Sequence, residues 1–130
     1  MADKITKTDA EWRSILSPEA YRIAREHGTE RAGSHEDFPK MPGMFHCAGC
    51  GEPLFASDTK FESGSGWPSF YAPLDKATET TTDNSWLMSR TEVHCAKCES
   101  HLGHVFNDGP NPTGQRFCIN GAVLDFKAKP

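Results

Sequence analysis

Residues 47–50 read Cys-Ala-Gly-Cys, and residues 95–98 read Cys-Ala-Lys-Cys. Two cysteines at C-x-x-C spacing on a turn can present both sulfurs to one tetrahedral ion. Gly49 and Gly51 permit the turn that the first knuckle needs. Each pair follows a short apolar or β-branched run, Met44-Phe45 before the first and Val93 before the second, which places each at a hairpin tip. A single C-x-x-C would read equally well as a thioredoxin-like redox pair. Two of them, on a chain without a βαβ pattern, point instead to one zinc ion held by Cys47, Cys50, Cys95 and Cys98. Four sulfurs leave no open position, so such a zinc is structural, and its removal is expected to loosen the domain.

Outward from the knuckles, the chain reads as short strands separated by turns. The expected strands are 44–47, 54–56, 86–95, 104–107, 116–120 and 122–126. The stretch 57–85 carries few regular signals apart from Lys60-Phe61, and Ser63-Gly64-Ser65-Gly66-Trp67-Pro68 reads as a tight, shaped loop. Helical signals are confined to the N-terminal third. Thr8 and Glu11 form a capping-box pattern, with Trp12, Ile15 and Leu16 on the following turns. Pro18 opens a second helix, with Tyr21, Ile23 and Ala24 for its buried face and Gly28 to stop it. Residues 29–43 read as a loop wrapping toward the core. The expected fold class is mainly β: two antiparallel sheets, N-terminal helices and a structural zinc knuckle pair. It forms one domain over 1–130, with helices and wrapping loop in 1–43 and the zinc-bound β core in 44–126.

Composition limits the functions on offer. The 130 residues suit one domain, and 36% hydrophobic content with a mean hydropathy of -0.61 allows only a modest core, which a metal would reinforce. Fourteen basic against 18 acidic residues give a net charge of -4, which offers no electrostatic reason to bind nucleic acid or an anionic membrane. The charged N-terminus lacks the apolar core of a signal peptide, so a reducing cytoplasmic setting is the default expectation. Nothing points to an obligate oligomer, and a monomer is expected.

Zinc accounts for four of the five cysteines and leaves Cys118, in Arg116-Phe117-Cys118-Ile119-Asn120. Most free cysteines are small buried hydrophobes. On a strand, however, Arg116, Cys118 and Asn120 share one face, and Phe117 and Ile119 share the other. Arg116 would favour a thiolate, and Asn120 could donate hydrogen bonds, so a reactive thiol is the competing reading. His101 and His104, in His-Leu-Gly-His directly after the second knuckle, are either core or surface imidazoles or acid–base groups. Trp67 either closes a minor core or forms an aromatic lid over an apolar substrate group.

The segments C-A-G-C-G, S-G-x-G-W-P-S-F, the second C-x-x-C, H-L-G-H-V-F-x-D-G-P and R-F-C-I-N, in order from Met44 to Phe126, resemble the B-type methionine-R-sulfoxide reductases. The resemblance implies that Cys118 attacks the sulfoxide sulfur and becomes a sulfenic acid as methionine leaves. It implies catalytic roles for His101, His104 and Asn120 beside Cys118, which line the pocket, hold the substrate or protonate the departing oxygen. It places Trp67 against the S-methyl group, with Arg116, Ser65 and Phe106 also on the substrate side. Selectivity for the R epimer, and a preference for the sulfoxide in oxidised proteins, come from the resemblance alone.

One position departs from the family. Many members carry a resolving cysteine as S-G-C-G-W, and here Ser65 stands in its place. With the other cysteines committed to zinc, the expectation is a one-cysteine mechanism, rescued by an external thiol such as thioredoxin, glutaredoxin or glutathione. Two other classes compete. A zinc-ribbon binding module explains the knuckles alone. A Cys118 redox sensor or peroxidase leaves the histidine and tryptophan segments without a role.

Overall fold

Short β-branched and aromatic runs broken by glycine and proline give short strands. The computed structural model describes residues 5–26, 28–34, 41–83 and 90–128. Within them the strands are β1 (Gly43–Cys47), β2 (Pro53–Ala56), β3 (Lys60–Phe61), β4 (Ser69–Phe70), β5 (Thr78–Asp83), β6 (Arg90–Cys95), β7 (His101–Phe106), β8 (Arg116–Ile119) and β9 (Leu124–Ala128). They form two sheets, a three-stranded one ordered β2-β1-β9 and a six-stranded one ordered β3-β4-β8-β7-β6-β5. Every pairing is antiparallel.

Four phenylalanines join the sheets. Phe45 of β1 and Phe55 of β2 come from one sheet, and Phe70 of β4 and Phe117 of β8 from the other. Phe55 stacks on Phe70 with centroids 4.3 Å apart, and Phe45 meets Phe70 edge-on at 5.1 Å. Phe55 also reaches Phe117 at 6.1 Å. Full burial of such a ring contributes about 1.5–3 kcal/mol, so this cluster is a principal adhesive of the fold.

The helices form where expected. Helix α1 spans Asp9–Ile15. Its cap is reciprocal: Glu11 N–H donates to Thr8 Oγ1 at 3.2 Å, and Thr8 N–H donates to Glu11 Oε1 at 3.0 Å. Trp12 and Leu16 are buried, whereas Ile15 is 51% exposed, because a helix this short turns only one narrow stripe inward. Helix α2 spans Pro18–Glu26 and buries Ala20, Tyr21, Ile23 and Ala24. Gly28 N–H donates back to Arg22 O at 3.0 Å and closes it. Arg25 of α2 lies 4.4 Å over the Trp12 ring and donates to the Cys98 carbonyl at 2.9 Å, so both helices seat on the second knuckle.

Three strand expectations need correction. Thr78–Asp83 is a six-residue strand inside the stretch that carried few signals. The strand expected at 104–107 begins three residues earlier, at His101. Gly121–Val123 is a single 3-10 turn, and the last strand starts after it at Leu124. Of the strand expected at 86–95, residues 86–89 lie outside the described residues, and 90–95 is strand. Among the described residues no helix is long and apolar enough to cross a membrane.

Candidate active site and metal centre

The knuckles are the turns of two hairpins, between β1 and β2 and between β6 and β7. In each, the first cysteine accepts a backbone bond across its turn: Gly51 N–H to Cys47 O at 2.8 Å, and Glu99 N–H to Cys95 O at 2.9 Å. Gly51 sits at φ +79°, a left-handed conformation that any side chain would strain. The four Sγ atoms lie within 4.8 Å of one another, with Cys47–Cys98 and Cys50–Cys95 each at 3.6 Å. A tetrahedral zinc with Zn–S bonds of about 2.3 Å sets its sulfurs about 3.8 Å apart, so the donor set fits such an ion.

The four thiols also act on one another. Hydrogen bonds from Cys50, Cys95 and Cys98 push the Cys47 thiol up. Hydrogen bonds from Cys47, Cys50 and Cys95 hold the Cys98 thiol down. Lys97 and Glu52, one from each hairpin, pair at 2.7 Å beside the cluster. The four cysteines could therefore hold a metal ion.

Cys118 lies mid-sheet on β8. Its register partners are Ser69 on β4 and His104 on β7. The strand is split as the sequence implies: Phe117 and Ile119 are buried, and Arg116 and Cys118 are half-buried. Directly paired residues share a face with Cβ atoms roughly 4.5–5.5 Å apart, which brings His104 and Ser69 beside the thiol. Gly103 lets β7 come this close, because a Cβ there would overlap the Cys118 carbonyl oxygen.

The loop 63–67 roofs the thiol. Ser65 Oγ is 3.8 Å from Cys118 Sγ. Ser63 Oγ bridges Ser65 Oγ at 2.8 Å and Ser69 Oγ at 2.7 Å. Ser69 donates to the Trp67 carbonyl at 3.1 Å, and Trp67 N–H donates to Ser65 Oγ at 3.3 Å. The Trp67 indole Nε1–H reaches across to the Glu30 carbonyl at 3.0 Å. Ala32, Gly33 and the 60–68 segment enclose a cavity of about 310 Å³ with Trp67 in its wall.

His101 is buried, with Nδ1 3.0 Å from Glu92 Oε1. Its ring meets that of His104 edge-on, centroids 5.5 Å apart. Glu92 is also the register partner of His104. One carboxylate, two imidazoles and the thiol therefore occupy adjacent strands. Phe106 is paired with Arg116, whose guanidinium lies 4.5 Å over its ring.

Arg116 makes a two-point ion pair with Asp108, Nε–Oδ1 at 2.9 Å and Nη2–Oδ2 at 3.1 Å. Its charge, together with the Ser65 hydrogen bond, does pull the Cys118 thiol toward ionisation. Burial outweighs both, Glu30 adds to the opposing side, and the net shift is upward. The resting thiol therefore holds its proton. Asn120 is buried rather than offering its amide to the thiol's face: Nδ2 donates to Leu102 O at 2.9 Å, and Oδ1 accepts from Glu30 N–H at 3.0 Å. Sequence reasoning gave no role to Glu30, Ser69, Glu92 or Asp108. Two of them had a signal: Ser69 lies in the S-G-x-G-W-P-S-F segment and Asp108 in the H-L-G-H-V-F-x-D-G-P segment.

Comparison with known proteins agrees with this geometry. The SelR domain matches residues 16–128. A peptide methionine sulfoxide reductase MsrB from Hahella chejuensis is 54% identical over 95% of this chain and 91% of its own length. One from Thiobacillus denitrificans is 57% identical over 95% of both chains. The archaeal relative from Methanosarcina mazei is 52% identical over 95% of this chain and 90% of its own. Among solved structures, the Mis18 "Yippee-like" domain superposes with a TM-score of 0.53 at 15% identity, covering 69% of this chain and 99% of that one, a likeness of fold alone. With a half-buried thiol beside histidine and serine, four convergent cysteines, and relatives matched nearly end to end, the chain belongs to the SelR-domain family, that of the peptide methionine sulfoxide reductases MsrB.

Proposed function

We propose that this chain reduces the R epimer of methionine sulfoxide, mainly in oxidised proteins, with Cys118 as nucleophile. The observation that carries the reading is Cys118 in register between His104 and Ser69, with the Ser65 hydroxyl 3.8 Å from its sulfur. Cys118 Sγ attacks the sulfoxide sulfur, the oxygen passes to Cys118 as a sulfenic acid, and methionine departs. A sulfoxide oxygen leaves only when protonated. Because the resting thiol keeps its proton, the attack needs an acceptor for it. The His104 imidazole can take the proton from Cys118 and return it to the oxygen. His101, held by Glu92, orients His104; Asn120 fixes the end of β8; Trp67 receives the apolar methyl; Phe106 and Arg116 border the site. These residues form one domain spanning 1–130.

Ser65 supports a one-cysteine cycle. It occupies the position nearest the thiol that a resolving cysteine would need. An external thiol, from thioredoxin, glutaredoxin or glutathione, then attacks the sulfenic sulfur and releases water, and a second thiol releases Cys118 from the mixed disulfide. The metal held by Cys47, Cys50, Cys95 and Cys98 is zinc, closed to substrate and structural. A monomer in the cytoplasm completes the proposal.

Turnover of separated R and S epimers with dithiothreitol tests the reading. The R epimer should be reduced, the S epimer spared, and Cys118→Ser inactive. Reduction of neither epimer, or undiminished activity in Cys118→Ser, would overturn it.

A further inference from the structure

Trp67 stands on a loop, and its indole plane must be fixed if it is to form a wall. The group that fixes it comes from far away in sequence. Glu30 is 2% exposed. Its side-chain Oε1 accepts from Ala122 N–H at 2.9 Å. Its backbone N–H donates to Asn120 Oδ1 at 3.0 Å, and its carbonyl accepts from Trp67 Nε1–H at 3.0 Å. Nearby, Gly33 N–H donates to Gly66 O at 2.6 Å. One residue thus ties the segment after Cys118 to the Trp67 indole, and the strap 30–33 is bonded to the Trp67 loop at two points.

We propose that Glu30 is a positioning residue for substrate binding: its buried carboxylate, anchored on the Ala122 amide, sets the backbone that holds the Trp67 indole. The division of labour within the residue is specific. The side chain supplies the anchor, and the main chain supplies the contacts to Asn120 and Trp67. A buried carboxylate is expensive to keep unless it is hydrogen-bonded, so its presence on a wrapping loop calls for a function. This inference rests on Trp67 receiving the substrate's methyl group.

A double-mutant cycle with Glu30→Ala and Trp67→Phe tests it, with metal content and Cys118 alkylation as controls for folding. Glu30→Ala should raise KM for the R-sulfoxide about tenfold and change kcat less than about threefold. Because both changes break one linkage, the double variant should bind no worse than Trp67→Phe alone. An unchanged KM, or KM effects that multiply, would overturn the proposal. A second readout needs neither turnover nor Glu30→Ala. In Glu30→Asp the charge is kept, but the carboxylate falls one methylene short of Ala122. Hydrogen exchange at the Trp67 indole should then accelerate at least about tenfold over the unsubstituted protein. Unchanged exchange would overturn the proposal even where turnover is normal. Absent turnover with accelerated exchange would instead refute the assigned activity and leave the linkage standing.

Discussion

The chemistry of Cys118 is set by a balance rather than by one neighbour. Arg116 and the Ser65 hydroxyl favour the thiolate, while burial and Glu30 favour the thiol and prevail. The rate of alkylation by iodoacetamide should therefore climb through a pH range above that of an ordinary cysteine, since the thiolate forms late. Asp108 is a lever on this balance, because it offsets the Arg116 cation. Asp108→Asn leaves that cation unopposed, so the thiol should ionise at lower pH. Alkylation at pH 8 should quicken about threefold or more. Ser65→Cys tests the missing resolver. Treated with stoichiometric R-sulfoxide and no reductant, the unsubstituted chain should gain about 16 Da as a sulfenic acid. The variant should instead lose about 2 Da, as its two thiols join and water leaves. At this level the sequence was legible wherever chemistry is rare: a cysteine count exposed both the metal set and the leftover thiol. Glu30 and Glu92 stayed hidden, because an isolated carboxylate in a sequence reads as solvated surface until a fold encloses it.

Strands and helices were legible in proportion to how one-sided their burial is. In β8 the alternation of Phe117 and Ile119 with Arg116 and Cys118 marks both faces. The capping box before α1 was readable because its signal is local. Thr78–Asp83, reading Thr-Glu-Thr-Thr-Thr-Asp, was not legible: it is the outer strand of its sheet, and with little apolar content it has no alternation to show. Its threonines favour an extended chain, but propensity alone is weak. His101–Phe106 begins early because its first three residues are all buried, which masks the period of two. The position where two strands meet most closely gives a sharp test. Gly103→Ala would drive a methyl group into the Cys118 backbone, so the β7–β8 pairing should break, with loss of activity and of stability together. Circular dichroism melting of the variant checks this.

The two sheets and the helices are joined by the phenylalanine cluster and by the knuckles. Phe70 touches both Phe45 and Phe55 across the gap. Phe70→Ala should cost about 3–5 kcal/mol in urea unfolding, the usual range for a buried ring. The knuckles tie hairpins that are distant in sequence, and the α1–α2 pair rests on one of them through Arg25. Removal of the metal by a chelator, or Cys95→Ser, should lower the melting temperature by about 10 °C or more. A melting curve unchanged by either would show that the cluster does not staple the fold.

The position of β8 and β9 in the sheets has a consequence for how the molecule is made. β8 lies between β4 and β7, and β9 completes the sheet that β1 and β2 begin. Among the described strands these two leave the ribosome last: β8 must insert between β4 and β7, and β9 pairs with the side of β1 left open by β2. Until they arrive, the nascent chain exposes the unpaired sides of β4, β7 and β1 and the Phe55 ring that Phe117 meets. It is then at its most vulnerable to aggregation and proteolysis. The same order delays the chemistry: Cys118 meets its histidine and its serine roof only when synthesis of the β core is all but finished. A partial chain thus lacks the neighbours that the proposed chemistry of Cys118 requires.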